Sequence, residues 1–264
     1  MMVASIPTEY IEIAERLANA ARPIAKRYFR AKIPIEMKAD NSPVTKADRD
    51  IEAALRDVLA KYCPDHDILG EEMGGVPDGE GPLWVLDPID GTKAFVSGMP
   101  VFGTLIALAI EKRFVLGVID QPISGERWLG AVGQATTFNG TETNVSRCDS
   151  LSAARLFTTS PEYYATSELL DAFDQLREQV LITRYGADCY AFGLLASGHA
   201  DIVVEAAMNL WDYAALVPIV EGAGGVMTDW HGNPLSLEGN TNVIASASVG
   251  LHTAALRCLD GQQF

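Results

Sequence analysis

The chain has 264 residues, a formal net charge of −15 at pH 7, and a composition in which 48% of residues are hydrophobic. So acidic a chain is unsuited to general nucleic-acid binding, because the phosphate backbone would repel it, and no apolar run approaches the ~18 residues of a membrane span. The cysteines have no metal-ligand or redox spacing, and the first residues lack signal-peptide features. We therefore expect a cytoplasmic protein with reduced thiols and with no nucleic-acid or membrane partner.

The first half of the chain predicts two amphipathic helices followed by a sheet. Apolar periodicity predicts helices over residues 8–30, capped by Thr8, and over residues 48–61. Short β-rich runs follow, two of them separated by a charged tripeptide typical of a hairpin. The predicted strands cover residues 66–70, 83–86, 102–110, 114–120, 127–130 and 136–138.

The character of the sequence changes near residues 139–144, after which helices and strands alternate. We predict helices over residues 168–179, 189–197 and 212–222, and a strand over residues 202–205. This pattern indicates an α+β N-terminal subdomain over residues 1–142 and an α/β C-terminal subdomain over residues 143–264.

The most informative segment is residues 84–92 (WVLDPIDGT), where an apolar strand ends in two aspartates. The odd spacing of Asp87 and Asp90, with Pro88 between them, predicts a turn that wraps around a point. The amides of Gly91, Thr92 and Lys93 would lie at a helix start, and such unpartnered N–H groups favour an anion. Carboxylates favour a cation, so the segment as a whole indicates a metal-bridged phosphate.

Two further acids, Glu71 and Asp212, also stand beside a predicted strand end or helix start. A set of oxygen ligands alone suits magnesium or manganese and argues against zinc. Taken singly, each acid has a simpler interpretation that stays open. Glu71 would then be a solvated loop acid, Asp212 a helix cap, and Asp48 an ordinary acid in the first turn of a helix.

Four motifs together resemble the inositol monophosphatase family in order and spacing, over about residues 8–250. They are residues 41–48 (NSPVTKAD), 70–72 (GEE), 84–92, and 211–215 (WDYAA). The resemblance implies a layered αβαβα sandwich and a magnesium-dependent, lithium-sensitive phosphatase. It also implies a homodimer that acts on a small phosphorylated metabolite.

The resemblance also assigns the metal ligands. Glu71, Asp87 and the carbonyl oxygen of Ile89 would form a first site for Mg²⁺. Asp87, Asp90 and Asp212 would form a second site, with Asp87 bridging the two. A third, weaker ion near Glu71 would give two or three ions in all, and Mn²⁺ is a possible substitute.

The implied reaction is direct attack of water on a phosphate monoester, which requires positioning and charge neutralisation rather than a covalent intermediate. Gly91 and Thr92 resemble the phosphate cradle of the family. Asp48 resembles the partner that orients the Thr92 hydroxyl, and this pair and Glu71 would orient the attacking water and accept its proton. Asp212 would lie on the substrate side as well.

Two acids, Asp188 and Glu205, are candidates to face the leaving group, and together they would suit a cationic substrate such as histidinol phosphate. Residues 95–100, 102–108, 119–128 and 184–190 resemble the histidinol-phosphatase branch of the family. Within the last of these, Arg184 would lie near the phosphate or hold the loop. The simpler alternatives are that Asp188 caps a helix and that Glu205 binds inositol hydroxyls, as it does in relatives.

The sequence therefore predicts a histidinol-phosphate phosphatase, which converts L-histidinol phosphate and water to L-histidinol and phosphate in histidine biosynthesis. The alternative is an inositol-1-monophosphatase or a related small-molecule phosphatase. A catalytically silent binding protein is the rival of a different class. The presence of every implied metal and water-activating position argues against that rival.

Overall fold

The computed structural model describes residues 5–32, 34–37, 43–75, 81–239 and 242–260. Asn41 and Ser42 of the first motif therefore lie outside the described residues. The helices in the described part are α1 Thr8–Tyr28, α2 Lys46–Tyr62, α3 Thr92–Val96, α4 Ser167–Arg177, α5 Asp188–Ala196, α6 Leu210–Tyr213, α7 Leu216–Gly222 and α8 Val249–Leu259. None of these helices has both the length and the apolar character needed to span a membrane.

The strands belong to three sheets. They are β1 Ile35–Met37, β2 Pro43–Thr45, β3 Asp67–Gly70, β4 Leu83–Asp90, β5 Gly103–Ile110, β6 Arg113–Gln121, β7 Glu126–Ala131, β8 Thr137–Phe138, β9 Thr141–Glu142, β10 Arg155–Thr158, β11 Ile182–Tyr185, β12 Ile202–Glu205, β13 Val226–Asp229 and β14 Val243–Ser246. One sheet has the order β3-β4-β5-β6-β7-β8-β9, a second has the order β11-β10-β12-β14-β13, and β1 pairs with β2 alone.

Three apolar clusters arrange these elements in five layers. Helices α1 and α2 cover one face of the seven-stranded sheet, where Leu17 and Leu55 share a cluster with Trp84. The other face packs on a central layer formed by α5, α6 and α7, which also receives Val203 of the five-stranded sheet. The outer face of that second sheet packs on α4 and α8, through residues such as Phe173. The predicted αβαβα sandwich is confirmed.

The central helical layer joins the two sheets into one apolar cluster, which contains Leu105 of β5 as well as Val203 of β12. The seven-stranded sheet ends at Thr141–Glu142, and the five-stranded sheet begins at Arg155–Thr158. The two sheets therefore use separate stretches of chain. The division into subdomains at residues 142 and 143 stays a prediction.

The ends of the first two helices differ from the prediction in their caps. Thr8 does not cap α1, because Pro7 occupies the N-cap position and no side chain caps the helix. Helix α2 begins earlier than predicted, because Thr45 is its N-cap and accepts a hydrogen bond from the amide of Ala47. The Asp48 carboxylate in turn accepts one from the amide of Thr45, which completes a capping box.

The predicted turn at residues 87–90 is wrong, because β4 continues through Pro88 to Asp90. Asp87 pairs with Leu105 and Asp90 with Gly103, so β4 has one residue more than β5 across this step. Such a bulge bends a strand and redirects its side chains. It therefore brings two carboxylates of odd spacing to the same cavity, as the predicted turn would have done.

The predicted helix over residues 212–222 consists of two helices, α6 and α7. Pro218 lies in the first turn of α7. Proline has no N–H to donate to the preceding turn, so a continuous helix through this position would lose a hydrogen bond. The break after Tyr213 leaves Pro218 at a position where a helix tolerates it.

Stability at acidic pH is expected to depend on His252 of α8. Its ring is buried between Thr228 and Ser246, and burial lowers its pKa from 6.5 to about 4. The unfolded chain therefore binds a proton that the folded chain rejects, so stability is full above pH 6.5 and falls between pH 6.5 and 4. The total loss is on the order of 3 kcal/mol.

Urea unfolding at several pH values measures this loss. His252→Gln should flatten the pH dependence relative to the unmodified chain, whereas His199→Gln, at an exposed position, should leave it unchanged. The comparison between variants removes the opposite contribution of buried carboxyls, which stabilise the fold as the pH falls. The same slope in His252→Gln and in the unmodified chain would contradict the prediction.

Candidate active site

A cavity of about 650 Å³ opens where the end of β4, the starts of α3 and α5, the end of β12 and the start of α6 meet. Its lining residues all belong to the described part of the chain, and Lys93 is the only lysine or arginine among them. Six acidic side chains line it: Glu71, Asp87, Asp90, Asp188, Glu205 and Asp212. So many carboxylates around one space require cations or protons to offset their repulsion.

Three of these acids form a compact group. Asp87, Asp90 and Asp212 each offer a carboxylate oxygen, and these oxygens lie within 4.8 Å of one another. The bulge in β4 supplies two of them, and the first turn of α6 supplies the third. Asp212 also accepts a hydrogen bond from the amide of the N-cap residue Asn209 at 2.6 Å. It therefore takes part in capping α6, although Asn209 and not Asp212 is the N-cap.

Asp87 shows most clearly that this group suits a cation. Its side chain is buried, and its Oδ1 atom has no hydrogen-bond partner within the described part of the chain. Burial raises its pKa well above the usual range, and Glu71, Asp90 and Asp212 raise it further. An unpartnered buried oxygen is costly, and a hard cation with oxygen ligands would satisfy it.

Asp90 connects the group to the central helical layer. Its Oδ2 atom accepts a hydrogen bond from the amide of Cys189, in the first turn of α5, at 2.6 Å. Burial raises the pKa of Asp90 well above its usual range, and the charges of Asp188 and Asp212 add to that effect. The start of α5 is thus bonded directly to a candidate metal ligand.

Glu71 lies in the turn that follows β3, and the structure places it beside the aspartate group. Its amide donates to the carbonyl oxygen of Leu86 at 3.1 Å, one residue before Asp87 in β4. Its charge contributes to the raised pKa of Asp87, after the effect of burial. The predicted neighbours Glu71 and Asp87 therefore lie together.

The predicted phosphate cradle lies at the start of α3. Gly91 has φ of +86°, and a Cβ atom at this position would lie 3.0 Å from Cβ and Cγ of Asp188. Both the backbone conformation and the close approach require glycine. Thr92 begins the helix, and its hydroxyl donates to the carbonyl oxygen of Ile89 at 3.0 Å.

The predicted hydrogen bond between Asp48 and Thr92 is wrong. Asp48 is buried and does not line the cavity, and its Oδ2 atom accepts from the amide and hydroxyl of Thr45 at 2.8 and 2.7 Å. The Thr92 hydroxyl is directed to Ile89 instead. The capping box of α2 therefore occupies Asp48, in agreement with its simpler interpretation. Ile89 lines the cavity, and its carbonyl as a metal ligand stays a prediction.

Asp188 and Glu205 both line the cavity. Asp188 has φ of +45° and makes no side-chain cap to α5, so the helix-cap interpretation is wrong. Burial raises its pKa to about 6, and nearby Lys93 partly opposes that effect. Glu205 is buried, where its Oε1 atom accepts from the amide and hydroxyl of Thr159 at 2.7 and 2.9 Å.

Arg184 is not brought to this cavity, because it lies on the edge strand β11 with an exposed side chain. The structure of a single chain therefore does not support the prediction that Arg184 lies near the phosphate. Sequence reasoning missed the side chains of Lys93 and Tyr163, which line the cavity with the Lys93 Nζ atom 4.6 Å from the Tyr163 ring centroid. The only sequence signal was a lysine directly after Gly91 and Thr92.

The sequence model of the inositol monophosphatase family matches residues 7–261. The chain is similar, at 43% identity over 260 residues, to the bifunctional phosphatase IMPL2, chloroplastic, of Arabidopsis thaliana, with 95% of this chain and 75% of that protein covered. It is also similar to the histidinol-phosphatase of Chlorobaculum parvum, at 36% identity over 94% of this chain and 96% of that protein.

Among solved structures, the chain is similar to an inositol monophosphatase from Zymomonas mobilis. The TM-score is 0.88 and the sequence identity 47%, and the match covers 96% of this chain and 98% of that one.

Proposed function

Because the chain belongs to the inositol monophosphatase family of metal-dependent phosphatases, within the branch that contains its histidinol-phosphatase relatives, we propose that it is a histidinol-phosphate phosphatase. It would hydrolyse L-histidinol phosphate to L-histidinol and phosphate in histidine biosynthesis. The observation that carries this proposal is the pair Asp188 and Glu205, which line the same cavity as the aspartate group.

The charge of the cavity supports a cationic leaving group. Asp188 lies against Gly91 of the proposed phosphate cradle, so a group esterified to that phosphate would pass close to its carboxylate. The ammonium and imidazole of histidinol can donate charge-assisted hydrogen bonds to such acids. A neutral polyol would gain less from a partly buried carboxylate.

We propose that Glu71, Asp87, Asp90, Asp212 and the Ile89 carbonyl hold Mg²⁺, as two or three ions, with Mn²⁺ as a substitute. Support comes from the unpartnered Asp87 oxygen and from an all-oxygen donor set, which suits these ions. When bound, the ions supply charge neutralisation and a water of lowered pKa. In this proposal a small cation such as lithium inhibits by competing for one of these positions.

Residues of the chain activate the water and bind the phosphate. We propose that Glu71 orients the attacking water and accepts its proton, and that the amides of Gly91 and Thr92 hold the phosphate oxygens at the start of α3. The Thr92 hydroxyl, held by the Ile89 carbonyl, fixes the first turn of that helix. Asp48 acts indirectly, by capping α2. No side chain needs to be phosphorylated.

A homodimer and the division of the chain at residues 142 and 143 belong to the same proposal. In a dimer, the exposed Arg184 of one subunit would be available to a neighbouring subunit.

Hydrolysis of inositol 1-phosphate is the second candidate function. It is favoured by the 47% identity to the inositol monophosphatase of Zymomonas mobilis, over nearly the whole of both chains. In that case Glu205 would accept hydrogen bonds from inositol hydroxyls.

A substrate panel separates the two candidates. We expect kcat/KM for histidinol phosphate to exceed that for inositol 1-phosphate, phosphoadenosine phosphate and fructose 1,6-bisphosphate, measured by phosphate release with Mg²⁺ present. Omission of Mg²⁺ with added EDTA is the control and should abolish release. If histidinol phosphate is among the poorest substrates, the proposed substrate is wrong.

A further inference from the structure

We propose that Glu52 of α2 is a positioning residue. It holds the turn between Gly70 and Gly74, which contains Glu71, from the side away from the cavity. This inference rests on the proposed function, because it takes Glu71 as a metal ligand and water-orienting group. Glu52 does not line the cavity, so it can act only through the turn that it contacts.

The carboxylate of Glu52 fills the inside of the turn between Gly70 and Gly74. These two glycines exchange a pair of backbone hydrogen bonds, each 3.0 Å long, which close the turn. The Glu52 Oε2 atom accepts from the amide of Glu72 at 2.8 Å, and its Oε1 atom accepts from the amide of Met73 at 3.2 Å. A fully buried carboxylate therefore takes the two amides that follow Glu71.

Arg56, one helical turn after Glu52, also holds this turn, and we call Glu52 and Arg56 together the clamp. Its Nε atom donates to the Glu52 Oε1 atom at 2.9 Å, and its Nη2 atom donates to the carbonyl oxygen of Gly74. The arginine thus balances the buried charge and also holds the far end of the turn. Residues four apart on a helix face the same side, which is why α2 can present both groups together.

Gly70 permits this close approach, because a Cβ atom there would lie 2.0 Å from the Glu52 Oε1 atom. On the opposite side, the Glu71 amide is bonded to the Leu86 carbonyl oxygen of β4. The backbone at Glu71 is therefore fixed by α2 on one side and by the strand carrying Asp87 on the other. Such preorganisation lowers the cost of assembling an ion site, and loss of an outer-shell partner typically weakens metal binding.

The test uses Glu52→Gln, which keeps the shape but places an amide NH₂ among backbone donors. We expect the Kd for Mn²⁺, measured by calorimetry, to rise about 10-fold or more. Hydrogen exchange at the amides of Glu72 and Met73 should become faster. Asp120→Asn is the matched control, since Asp120 is also buried and bonded to Arg22 and lies outside the cavity. Its Kd should stay within about twofold of the unmodified value.

Two further variants keep the proposal testable if Glu52→Gln folds poorly. Arg56→Gln changes a partly exposed residue, and Gly70→Ala pushes the turn away from Glu52. Both should weaken Mn²⁺ binding, whereas Gly250→Ala, in open space, should not.

Faster exchange of the turn with an unchanged Kd would overturn the positioning role and leave the proposed function intact. Unchanged exchange in Glu52→Gln would overturn the clamp itself. Absence of Mn²⁺ binding to the unmodified chain would instead overturn Glu71 as a ligand, and the inference would fall with it.

Discussion

Replacing Asp90 with asparagine is expected to lower kcat by about 1000-fold or more while the fold stays intact. Its carboxylate oxygen lies within 4.8 Å of those of Asp87 and Asp212, so in the proposed site it carries one of the charges that hold an ion. Loss of a few kcal/mol of charge stabilisation in the transition state accounts for a change of this size.

The structural cost of Asp90→Asn should be small. The amide oxygen of asparagine can still accept the hydrogen bond from the Cys189 amide. The substitution also removes a carboxylate whose pKa is raised by burial and by neighbouring acids, so it relieves repulsion in the ion-free protein. Urea unfolding in EDTA should therefore show an unchanged or higher stability.

Asp120→Asn serves as the control, because we expect it to change stability rather than turnover. This buried carboxylate binds Arg22 and Arg127, so its loss should lower stability without changing kcat at temperatures where the protein is folded. Measurement of kcat for phosphate release at saturating Mg²⁺ separates the two variants. Near-normal turnover of Asp90→Asn would contradict the metal role of Asp90.

The second large effect is expected for Asp188→Asn, in the preference between substrates. We expect kcat/KM for histidinol phosphate to fall about 10- to 100-fold more than kcat/KM for inositol 1-phosphate, because only the first substrate offers a cation to the lost charge. Asparagine is the suitable replacement, since Asp188 has φ of +45° and asparagine tolerates that conformation.

A second variant, Asp188→Ala, distinguishes the effect of backbone strain at this position from the effect of losing the charge. Alanine in this conformation is strained, so it should lower the unfolding midpoint of the protein more than asparagine does. Inositol 1-phosphate is the internal control for general damage to the site. An equal loss of kcat/KM for both substrates in Asp188→Asn would mean that Asp188 has only a structural role.

The sequence indicates a candidate site most clearly where its residues are contiguous. Residues 84–92 contain a strand end, two acids and a helix start within nine positions, so local chemistry alone indicates a cation and an anion there. The approach of Asp212 to Asp87 depends on how two layers pack, and only resemblance to a family anticipated it. The layered sandwich was predicted from the same resemblance and is confirmed.

The failures share a physical cause, which is competition between nearby partners. Asp48 could accept a hydrogen bond from Thr92 or from Thr45. Sequence spacing does not reveal that it bonds to Thr45 in the capping box. The bulge at Pro88 depends on pairing with β5, and the Thr104 hydroxyl, bonded to the Pro88 carbonyl oxygen at 2.8 Å, holds it. Glu52 gave no signal, because a glutamate in an amphipathic helix is typical of a solvated face.

Short strands in the second half were also missed. Strands β10, β11, β13 and β14 have only four residues each and were not predicted, whereas β12, of the same length, was. A pattern over four residues is too short to identify such strands consistently. Their pairing also mixes parallel and antiparallel neighbours from distant stretches of chain. Tertiary packing decides such strands.

The bond between Asp90 and the Cys189 amide limits how the specificity of this protein can be redesigned. Since α5 is anchored to the same carboxylate that is proposed to bind an ion, sliding or tilting the helix to admit a different ester would disturb the hydrolytic machinery as well. New preferences must therefore come from exchanging side chains on a stationary scaffold. Asp188 is the first position to vary in a mutant library.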